Sequence, residues 1–302
     1  MALKDIKTKI ASTNRTNKVT RAMEAVSAVK MRKTQATALA GRSYARAALA
    51  ILTRLAGTEA VRRHPLSRRR AGSRVALVLI TSDKGLAGGL NSGVLKRAGE
   101  AVKGHLVSDV SVYAYGRKGE EHFRRRGYQI TRSFENKSDD ISLTTLAELS
   151  QDITDDFMRG NYDRVVAVYS NFKSTFEQVP MVRELLPLSL PELQGIVSDI
   201  VPAKGKWSHA YALEAPAAYE IEPSDTDVLD ALIPRLITVA LYHMLLEAKA
   251  SEHSARMVAM KNASDKSKEV AHDLTRLFNR IRQANITREV SEIIGGREAL
   301  AT

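Results

Sequence analysis

Apolar residues recur at helical spacing near the N-terminus of the chain. Positions three to four residues apart are occupied by Leu3, Ile6, Ile10 and Thr13, and then by Val19, Met23 and Val26. Three alanines among them are small enough to let another helix approach closely: Ala22, Ala25 and Ala28. Since the first 56 residues contain no proline and a single glycine, Gly41, this pattern predicts one long N-terminal helix.

A second and longer stripe of this kind runs through the C-terminal part of the chain. It comprises Ile233, Ile237, Leu241, Met244, Ala248, Ser251, Ala255 and Val258. After a polar interval the spacing resumes with Val270, Leu274, Leu277, Ile281 and Ala284. No glycine occurs between Gly205 and Gly295, and the last proline, Pro234, is expected to kink the helix near its start. Alternate spacings of three and four are typical of a coiled-coil stripe.

The period changes between these two ends, where three apolar runs of strand length occur. They are Val75 to Thr81, Val110 to Tyr115 and Val165 to Tyr169, and helical stretches separate them around Leu90 to Val102, Gly116 to Arg126 and Leu143 to Arg159. Buried strands that alternate with helices predict a small parallel or mixed α/β sheet. Further edge strands are expected around Gln178 to Leu186 and Ala210 to Ile221.

The chain therefore divides into an N-terminal helix over 1–60, an exposed basic linker over 61–74, an α/β domain over 75–222 and a C-terminal helix over 223–302. A helix from about Asp225 to Ile294 would be roughly 100 Å long. An α/β domain of this size has a radius of gyration of about 15 Å, so it cannot cover that helix along its whole length. Much of the C-terminal helix must then pack on the N-terminal helix as a coiled coil.

Positive charge is concentrated at one end of the chain. The formal net charge is +12, and residues 1–74 alone carry 18 Lys or Arg against 3 acidic residues, a balance of +15. Such a segment favours an acidic partner, although a basic face that is simply solvated has the same composition.

Composition excludes several classes of site. The chain has no cysteine, so it forms no disulfide and contains neither a thiol nucleophile nor a thiolate metal site. No apolar run approaches the roughly 20 residues that span a bilayer, and the N-terminus lacks the apolar region of a secretory signal. We expect a protein of the bacterial cytoplasm, with no cofactor.

One loop lies where an α/β fold places a phosphate-binding turn. Ser82 to Asn91, SDKGLAGGLN, follows the first predicted strand and precedes a helix. Its glycines do not match G-x-G-x-x-G, and G-x-x-x-x-G-K-[ST] is absent from the chain, so nucleotide hydrolysis is not expected. A turn that carries Lys84 could contact a protein partner as well as a phosphate group. Since H-E-x-x-H and G-x-S-x-G are also absent, we predict neither a metal site nor a catalytic site.

Four segments together resemble the family of gamma subunits of F-type ATP synthases. They are Ile6 to Gln35, Ser82 to Asn91, Ser251 to Ser267 and Phe278 to Gly296, and the last contains the I-T-x-E-x-x-E pattern of that family. The resemblance therefore covers both ends of the chain and the α/β domain.

This resemblance implies a fold and a function. The two terminal helices would form an antiparallel coiled coil inside a ring of alternating alpha and beta subunits. The small, Rossmann-like α/β domain would lie with the epsilon subunit on the membrane ring of c subunits. Proton flow would turn the c ring, and the coiled coil would drive the catalytic beta subunits through their conformations and regulate ATPase activity. The chain itself would not be an enzyme, and it would associate peripherally with the cytoplasmic face of the bacterial inner membrane.

Matching the family's motifs residue by residue implies seven partner-contact positions. Met23 would face a lever of a beta subunit, and Lys84 would approach the same region. The other five would contact the ring or support the coiled coil: Arg256, Arg282, Gln283, Thr287 and Glu289. The chain departs from the family pattern at Ala25, Ala87 and Arg297.

Two other classes of function compete with this interpretation. A basic helical module that binds nucleic acid would explain the charge, but neither aromatic platforms nor a docking motif is visible. A dinucleotide-dependent enzyme would require the glycine fingerprint that is missing. Salt-sensitive DNA binding would favour the first class, and nucleotide binding by the isolated chain would favour the second.

Overall fold

The computed structural model describes residues 3–40, 63–189 and 224–301, and the chain forms two compact units. The smaller unit joins residues 1–27 to residues 256–302, and the larger unit comprises residues 28–255. Two helices contribute residues to both units, namely α1 (Leu3–Ala40) and α5 (Asp225–Ala301).

The larger unit is built on a five-stranded sheet with the spatial order β3-β2-β1-β4-β5. The strands are β1 (Val75–Ile80), β2 (Val110–Tyr115), β3 (Gln129–Phe134), β4 (Arg164–Ser174) and β5 (Glu177–Leu186). The first four are parallel, and β5 is antiparallel to β4. Helices α2 (Leu90–Ala101), α3 (Arg117–Arg124) and α4 (Leu143–Met158) connect successive parallel strands, and a short 3-10 turn, Val107–Asp109, precedes β2.

The sheet is buried on both faces, which explains the continuous apolar run of β1. Alternate residues of a strand point to opposite faces, and the two halves of β1 belong to two different hydrophobic clusters. One cluster contains Ala76, Val78 and Ile80 together with residues of α4 and α5. The other contains Val75, Leu77 and Leu79 together with residues of α2 and α3.

The predicted α/β pattern is confirmed, with one omission. The three apolar runs are β1, β2 and the first half of β4, and the helices between them occur within two residues of their predicted bounds. The predicted edge strand near Gln178 is β5, whereas the one over Ala210 to Ile221 lies outside the described residues. The prediction missed β3, because four of its six residues are exposed and its sequence, QITRSF, carries no apolar run.

The first half of α5 is a core helix of the larger unit. Its stripe from Ile233 to Ala248 is buried in the cluster that also contains residues of β1, β4 and α4. The helix continues through Pro234 without interruption. By length and apolar composition α5 is the only helix in the described part of the chain that meets the criteria for a membrane span, but half of the relevant stretch is buried inside the protein, as in an ordinary core helix.

The sequence had suggested that the basic segment before β1 is exposed throughout. Part of this segment is buried instead. His64 and Leu66 are buried, and Leu66 belongs to the core cluster of the larger unit. The Leu66 N–H donates to Nδ1 of His64 over 3.2 Å, so Nε2 carries the proton and donates to Asp230 on α5 over 2.9 Å. The neighbouring Arg68 and Arg69 are exposed, as expected.

In the smaller unit α1 and α5 form a coiled coil with a largely polar seam. The least exposed positions of α1 in this unit follow a strict 3-4 alternation, namely Leu3, Ile6, Ile10, Thr13, Asn17, Thr20, Glu24 and Ser27. The matching positions of α5 are Ser264, Ser267, Ala271, Leu274, Phe278 and Ile281. This is the heptad spacing that left-handed supercoiling requires.

The predicted seam is therefore partly wrong in both helices. Val19 and Val26 are 57% and 55% exposed, while Thr20 and Ser27 beside them are buried. In α5 the predicted Leu274 and Ile281 lie on the seam, but Ala271 and Phe278 take the places predicted for Val270 and Leu277, which are 37% and 40% exposed. The sequence prediction followed the larger apolar side chains, whereas the packing follows the heptad register even where it places Ser, Thr or Asn at the seam.

Asn17 fixes the register of this seam. Its Nδ2 donates to the Ser264 carbonyl oxygen over 2.7 Å, and it lies 3.1 Å from Ser264 Oγ and 3.0 Å from Ser267 Oγ. In an antiparallel pair with this register, Leu3 falls opposite residues near Ile281. Every residue of α5 described from 282 to 294 is exposed, as expected beyond the end of an antiparallel partner.

We predict that Asn17→Ala destabilises the chain by about 1 to 2 kcal/mol, because buried Ser264 and Ser267 lose the hydrogen bonds that join them to α1. Urea unfolding of the full chain, followed by circular dichroism, measures the change. Asn14→Ala is the matched control, since Asn14 is exposed on the same helix and its replacement changes only helix propensity. Equal losses in the two variants would contradict a role of Asn17 in the seam.

Asp163 joins the beginnings of β1 and β4. Its side chain is 5% exposed, and Oδ2 accepts from the Arg74 N–H at 3.0 Å and from Nε of Arg74 at 3.3 Å. Burial alone would raise the pKa of Asp163, but the backbone and guanidinium donors of Arg74, with a smaller contribution from Arg70, outweigh it and hold the pKa below its ordinary value.

The pKa of Asp163 in the folded chain lies below its value of about 3.9 in the unfolded chain. The ionised carboxylate therefore contributes its full stabilisation above about pH 3.9, and this stabilisation is lost as the pH falls through the folded pKa. We expect Asp163→Asn to reduce the free energy of unfolding by about 1 to 3 kcal/mol at neutral pH. This deficit should shrink towards zero in acid, where the wild-type carboxyl is also protonated. Denaturant unfolding at a series of pH values tests this, and Asp140→Asn, at a side chain 88% exposed, should show neither effect.

Candidate partner surface of the terminal helices

The end of α5 is the most exposed helical segment of the smaller unit. Each residue described from 282 to 294 is exposed, a length of about 20 Å along the helix. An isolated helix of this length is marginal in water and gains its stability from packing. A segment of this kind therefore indicates a surface that another molecule covers.

This segment carries an apolar stripe. Four of its residues expose about half or more of their surface, and they fall at helical spacing: Ile286, Val290, Ile293 and Ile294. Positions i, i+4, i+7 and i+8 lie on one face of a helix. Scattered apolar residues on a surface are ordinary, but a continuous stripe on a projecting helix is typical of an interface.

The four polar residues predicted for this region border the stripe. At about 100° per residue, Arg282 and Glu289 lie along one side of it, and Gln283 and Thr287 lie along the other. All four are exposed. On the opposite face Arg288 Nε and Glu292 Oε1 form an ion pair at 3.2 Å. The predicted contact residues therefore share one face with the apolar stripe.

The remaining predicted positions of the smaller unit differ in accessibility. Met23 is half-buried beside the seam of α1, so only part of its side chain is available to a partner. Arg256 is buried, which fits support of the coiled coil better than contact with another subunit. The outer face of α1 is basic, with six exposed cationic side chains in this unit: Lys4, Lys7, Lys9, Arg15, Lys18 and Arg21.

Lys84 lies in the larger unit, on an ordered loop between β1 and α2. Asn91 closes this loop, because its Oδ1 accepts from the Ser82 N–H at 3.1 Å and its Nδ2 donates to Ser82 Oγ at 2.7 Å. Ser82 Oγ in turn donates to the Lys84 carbonyl oxygen at 2.6 Å. The Lys84 side chain is exposed, so the loop presents its ammonium group to solvent.

Leu86 in the same loop adopts an unfavourable backbone conformation. Its φ is 63°, and it is the only residue other than glycine with a positive φ among the described residues. Its side chain is nonetheless exposed, so burial does not offset the strain. A strained and exposed apolar residue beside Lys84 is a candidate for contact with a partner.

No group of three or more histidine, cysteine or acidic side chains within residues 3–40, 63–189 and 224–301 is arranged to hold a metal ion. The loop from Ser82 to Asn91 is held closed by its own side chains, in the arrangement described above. The exposed end of α5 is a candidate contact surface of the smaller unit, and the loop that carries Lys84 is a candidate contact surface of the larger unit.

Sequence reasoning missed the apolar half of this surface. The stripe containing Ile286 and Val290 was visible as i, i+4 spacing, but it lies on a different face of α5 from the seam, whose 3-4 alternation beyond Ile281 falls on residues 285, 288 and 292. Sequence reasoning followed the seam only as far as Ala284, and the sequence does not show where the partner helix ends, so the second stripe was not recognised as exposed. The exposed Val19 and Val26 were missed for the related reason that they were assigned to the seam.

The sequence matches those of known proteins over nearly its whole length. A family model described as "ATP synthase" matches residues 2–300. The ATP synthase gamma chain of Pelotomaculum thermopropionicum is 38% identical over 299 residues, which is 99% of each chain. The ATP synthase gamma chain of Roseiflexus castenholzii is 40% identical over 305 residues, with 99% of this chain and 98% of that protein covered.

Solved structures show the same fold. A chain from the central stalk and c-ring of the Tetrahymena thermophila mitochondrial ATP synthase aligns with a TM-score of 0.61 and 25% identity, covering 82% of this chain and 99% of that one. A chain from the Euglena gracilis mitochondrial enzyme aligns with a TM-score of 0.66 over 99% of this chain and 94% of that one, at 18% identity.

Leu86→Gly tests the strain in the loop. Glycine adopts a positive φ without steric cost, so relief of about 1 to 2 kcal/mol should outweigh the entropy that glycine adds to the unfolded chain, about 0.5 to 1 kcal/mol. The variant should be slightly more stable in thermal or urea unfolding. Leu106→Gly is the control, because Leu106 is also exposed but has an ordinary φ of −66°, and it should be less stable than wild type. A loss of stability in both variants would show that Leu86 is unstrained.

Proposed function

Because this chain belongs to the family of ATP synthase gamma chains, we propose that it is the rotating central shaft of an F-type ATP synthase. In this role it couples proton-driven rotation of the c-subunit ring to conformational change in the catalytic beta subunits, and it regulates ATP hydrolysis and proton flow. The chemistry takes place on the beta subunits, and this chain requires neither a catalytic site nor a cofactor.

The exposed end of α5 is the observation that carries this proposal. A coiled coil that ends near Ile281 while one helix continues to residue 294, with an apolar stripe and polar borders, suits insertion into an enclosing ring. Arg282, Gln283, Thr287 and Glu289 would contact the alpha and beta subunits there. Their exposed polar groups form weak, solvated interactions, and a rotating contact requires interactions that break easily.

The basic outer face of α1 supports an acidic partner on the ring. Lys18 and Arg21 lie close to Met23 in sequence and are exposed. An acidic lever segment on a beta subunit would be attracted to this face as each subunit passes. Met23 and Lys84 would meet the beta subunits from the two units of the chain, and Arg256 would support the coiled coil from within.

The larger unit would carry the contacts with the membrane part of the complex. We assign to it contacts with the c-subunit ring and with the epsilon subunit, in keeping with solved relatives that contain the c-ring. The protein would then be held peripherally at the cytoplasmic face of the bacterial inner membrane. The relatives named above are all ATP synthase proteins, so the nucleic-acid-binding alternative is not carried forward.

Co-purification with the alpha and beta subunits tests the assignment. We expect one copy of this chain with three alpha and three beta subunits, in a complex that hydrolyses ATP. Replacing the stripe, with Ile286→Gln and Val290→Gln together, should weaken the complex by about tenfold, because two apolar side chains lose their burial in the ring.

The matched control changes the opposite face of the same turns. Arg288→Gln with Glu292→Gln removes an exposed ion pair worth only about 0.5 kcal/mol, so assembly should be unaffected. Equal loss from both pairs would show that the stripe has no special role. Failure of the unmodified chain to join alpha and beta subunits would overturn the proposed function itself.

A further inference from the structure

A group of buried polar side chains occurs on α5 just before it leaves the larger unit at Ala255. Before this point the buried face of the helix is mainly apolar, from Leu229 to Ala248. Among the buried polar residues that follow within a turn and a half are Lys249, Ser251, His253 and Ser254. Each of them bonds to the α/β framework, and together they form what we call the two-sided grip.

One side of the grip is the segment that follows β3. Nζ of Lys249 donates to the carbonyl oxygen of Asn136 over 3.2 Å. Nε2 of His253 lies 2.8 Å from Oδ1 of Asp139. Because residues four apart lie on the same face of a helix, both side chains point to this one segment.

The other side of the grip is the hairpin formed by β4 and β5. Ser251 Oγ donates to the Ser170 carbonyl oxygen over 3.1 Å, and Ser254 Oγ donates to the Thr175 carbonyl oxygen over 2.7 Å. Around the helix axis Ser251 lies about 200° and Ser254 about 140° from Lys249. The helix is therefore held from opposite sides at one level.

The segment after β3 is itself rigidly attached to the sheet. Asn136 donates from its backbone N–H to Oδ2 of Asp83 over 2.8 Å and from Nδ2 to the Thr81 carbonyl oxygen over 2.7 Å. Oδ1 of Asp83 accepts from the Arg117 N–H at 2.7 Å, at the start of α3. Force applied to Asn136 therefore passes directly to β1 and α3.

Asp139 connects α1 to the same side of the grip. Nζ of Lys30 lies 2.7 Å from Oδ2 of Asp139, whose other oxygen bonds to His253. Burial alone would raise the pKa of Asp139, but Lys30 and His253 outweigh it and lower the pKa, so the carboxylate is charged at neutral pH. One carboxylate thus bonds to residues of both α1 and α5 within the larger unit.

Stability alone does not account for a lysine at this position. Burial lowers the pKa of Lys249 against the opposing influence of Glu252, Asp139 and Asp83, so holding the charged form inside the unit has a free-energy cost. An apolar residue of similar volume would often be as stable or more so. What the lysine adds is a directional bond, which apolar packing does not supply.

We propose that the two-sided grip is the coupling through which torque passes between the α/β unit and the terminal helices. A twist about the axis of α5 is opposed only by off-axis contacts on opposite sides, and contact on one side alone would act as a hinge. The two serines and the Lys249–His253 face supply that opposed pair. This inference rests on the proposed function of the chain as a rotor shaft.

The test uses the intact membrane-bound ATP synthase assembled with variant chains. Asp139→Asn and, separately, Lys249→Met release one side of the grip, and Ser251→Ala with Ser254→Ala releases the other. Thr238→Val is the matched control, since Thr238 is on the same helix and its hydroxyl bonds only within that helix, to the Pro234 carbonyl oxygen. ATP hydrolysis and ATP-driven proton pumping are measured on the same membranes, and torsional stiffness is measured by single-molecule rotation.

We expect the assembled variants to hydrolyse ATP at the wild-type rate but to pump fewer protons per ATP. Release of either side should lower that ratio by at least about threefold, and release of both sides should lower it further, since each step removes buried directional bonds. Torsional stiffness should fall in the same order. The Thr238→Val enzyme should keep the wild-type ratio.

Wild-type pumping per ATP and wild-type stiffness in assembled variants would overturn the proposal. A lower yield or thermal stability with an unchanged ratio would also overturn it, because a merely structural role predicts that result. If the Lys249→Met chain does not assemble, the Asp139→Asn variant and the serine double variant decide the test. The Asp139 side chain is 20% exposed, so an isosteric change at this position should not prevent assembly. Failure of the unmodified chain to join the complex would instead remove the function on which the proposal rests.

Discussion

Helix α5 must satisfy two different environments along one uninterrupted backbone. From Leu229 to Ser254 it is part of the α/β core, and from Ser264 to Ile281 it is one half of a coiled coil. A core helix is apolar over much of its circumference, whereas a coiled-coil helix is apolar along one narrow stripe. The side chains of α5 therefore change character near residue 249, and the arrangement of the other elements follows from where that change occurs.

The polar composition of the seam has a consequence for how the coiled coil is held together. Thr20, Ser27, Ser264 and Ser267 occupy positions that apolar side chains fill in a stable two-helix coil. Small polar side chains bury little apolar area, so the pair gains less from the hydrophobic effect than a leucine-rich coil would. Hydrogen bonds such as those of Asn17 define the register instead, and much of the remaining surface stays available to partners.

Buried charge has a different role in each part of the chain. Asp163 is paired with Arg74 at the start of β1 and β4, where the pair closes the beginning of the sheet. Lys249 and Asp139 lie instead at the carboxyl ends of the strands, where they attach helices to the sheet. Exposed ion pairs such as Arg288–Glu292 contribute little to stability and leave the outer face of α5 soluble.

The sequence by itself determined the α/β pattern, the two long helices and the absence of motifs for nucleotide or metal chemistry. Those features depend on local spacing. The continuous apolar run of β1 indicates a strand that is covered on both faces, and the apolar period of α5, near 3.6 residues, indicates a helix. The motifs also indicated the family. Strand β3 escaped prediction because its exposed edge position removes the apolar signal.

Only the tertiary structure decided which residues of each stripe are buried. Val19 and Thr20 are adjacent, and the apolar one is exposed because the heptad register, set over the whole helix pair, places the threonine at the seam. Ile281 and Ile286 differ in burial because Ile281 lies beside the partner helix, whereas Ile286 lies beyond its end and on another face of α5. Burial depends on residues that are distant in the chain, as the hydrogen bond between Asn17 and Ser264 illustrates. A periodic pattern in the sequence does not show which distant residues will be in contact.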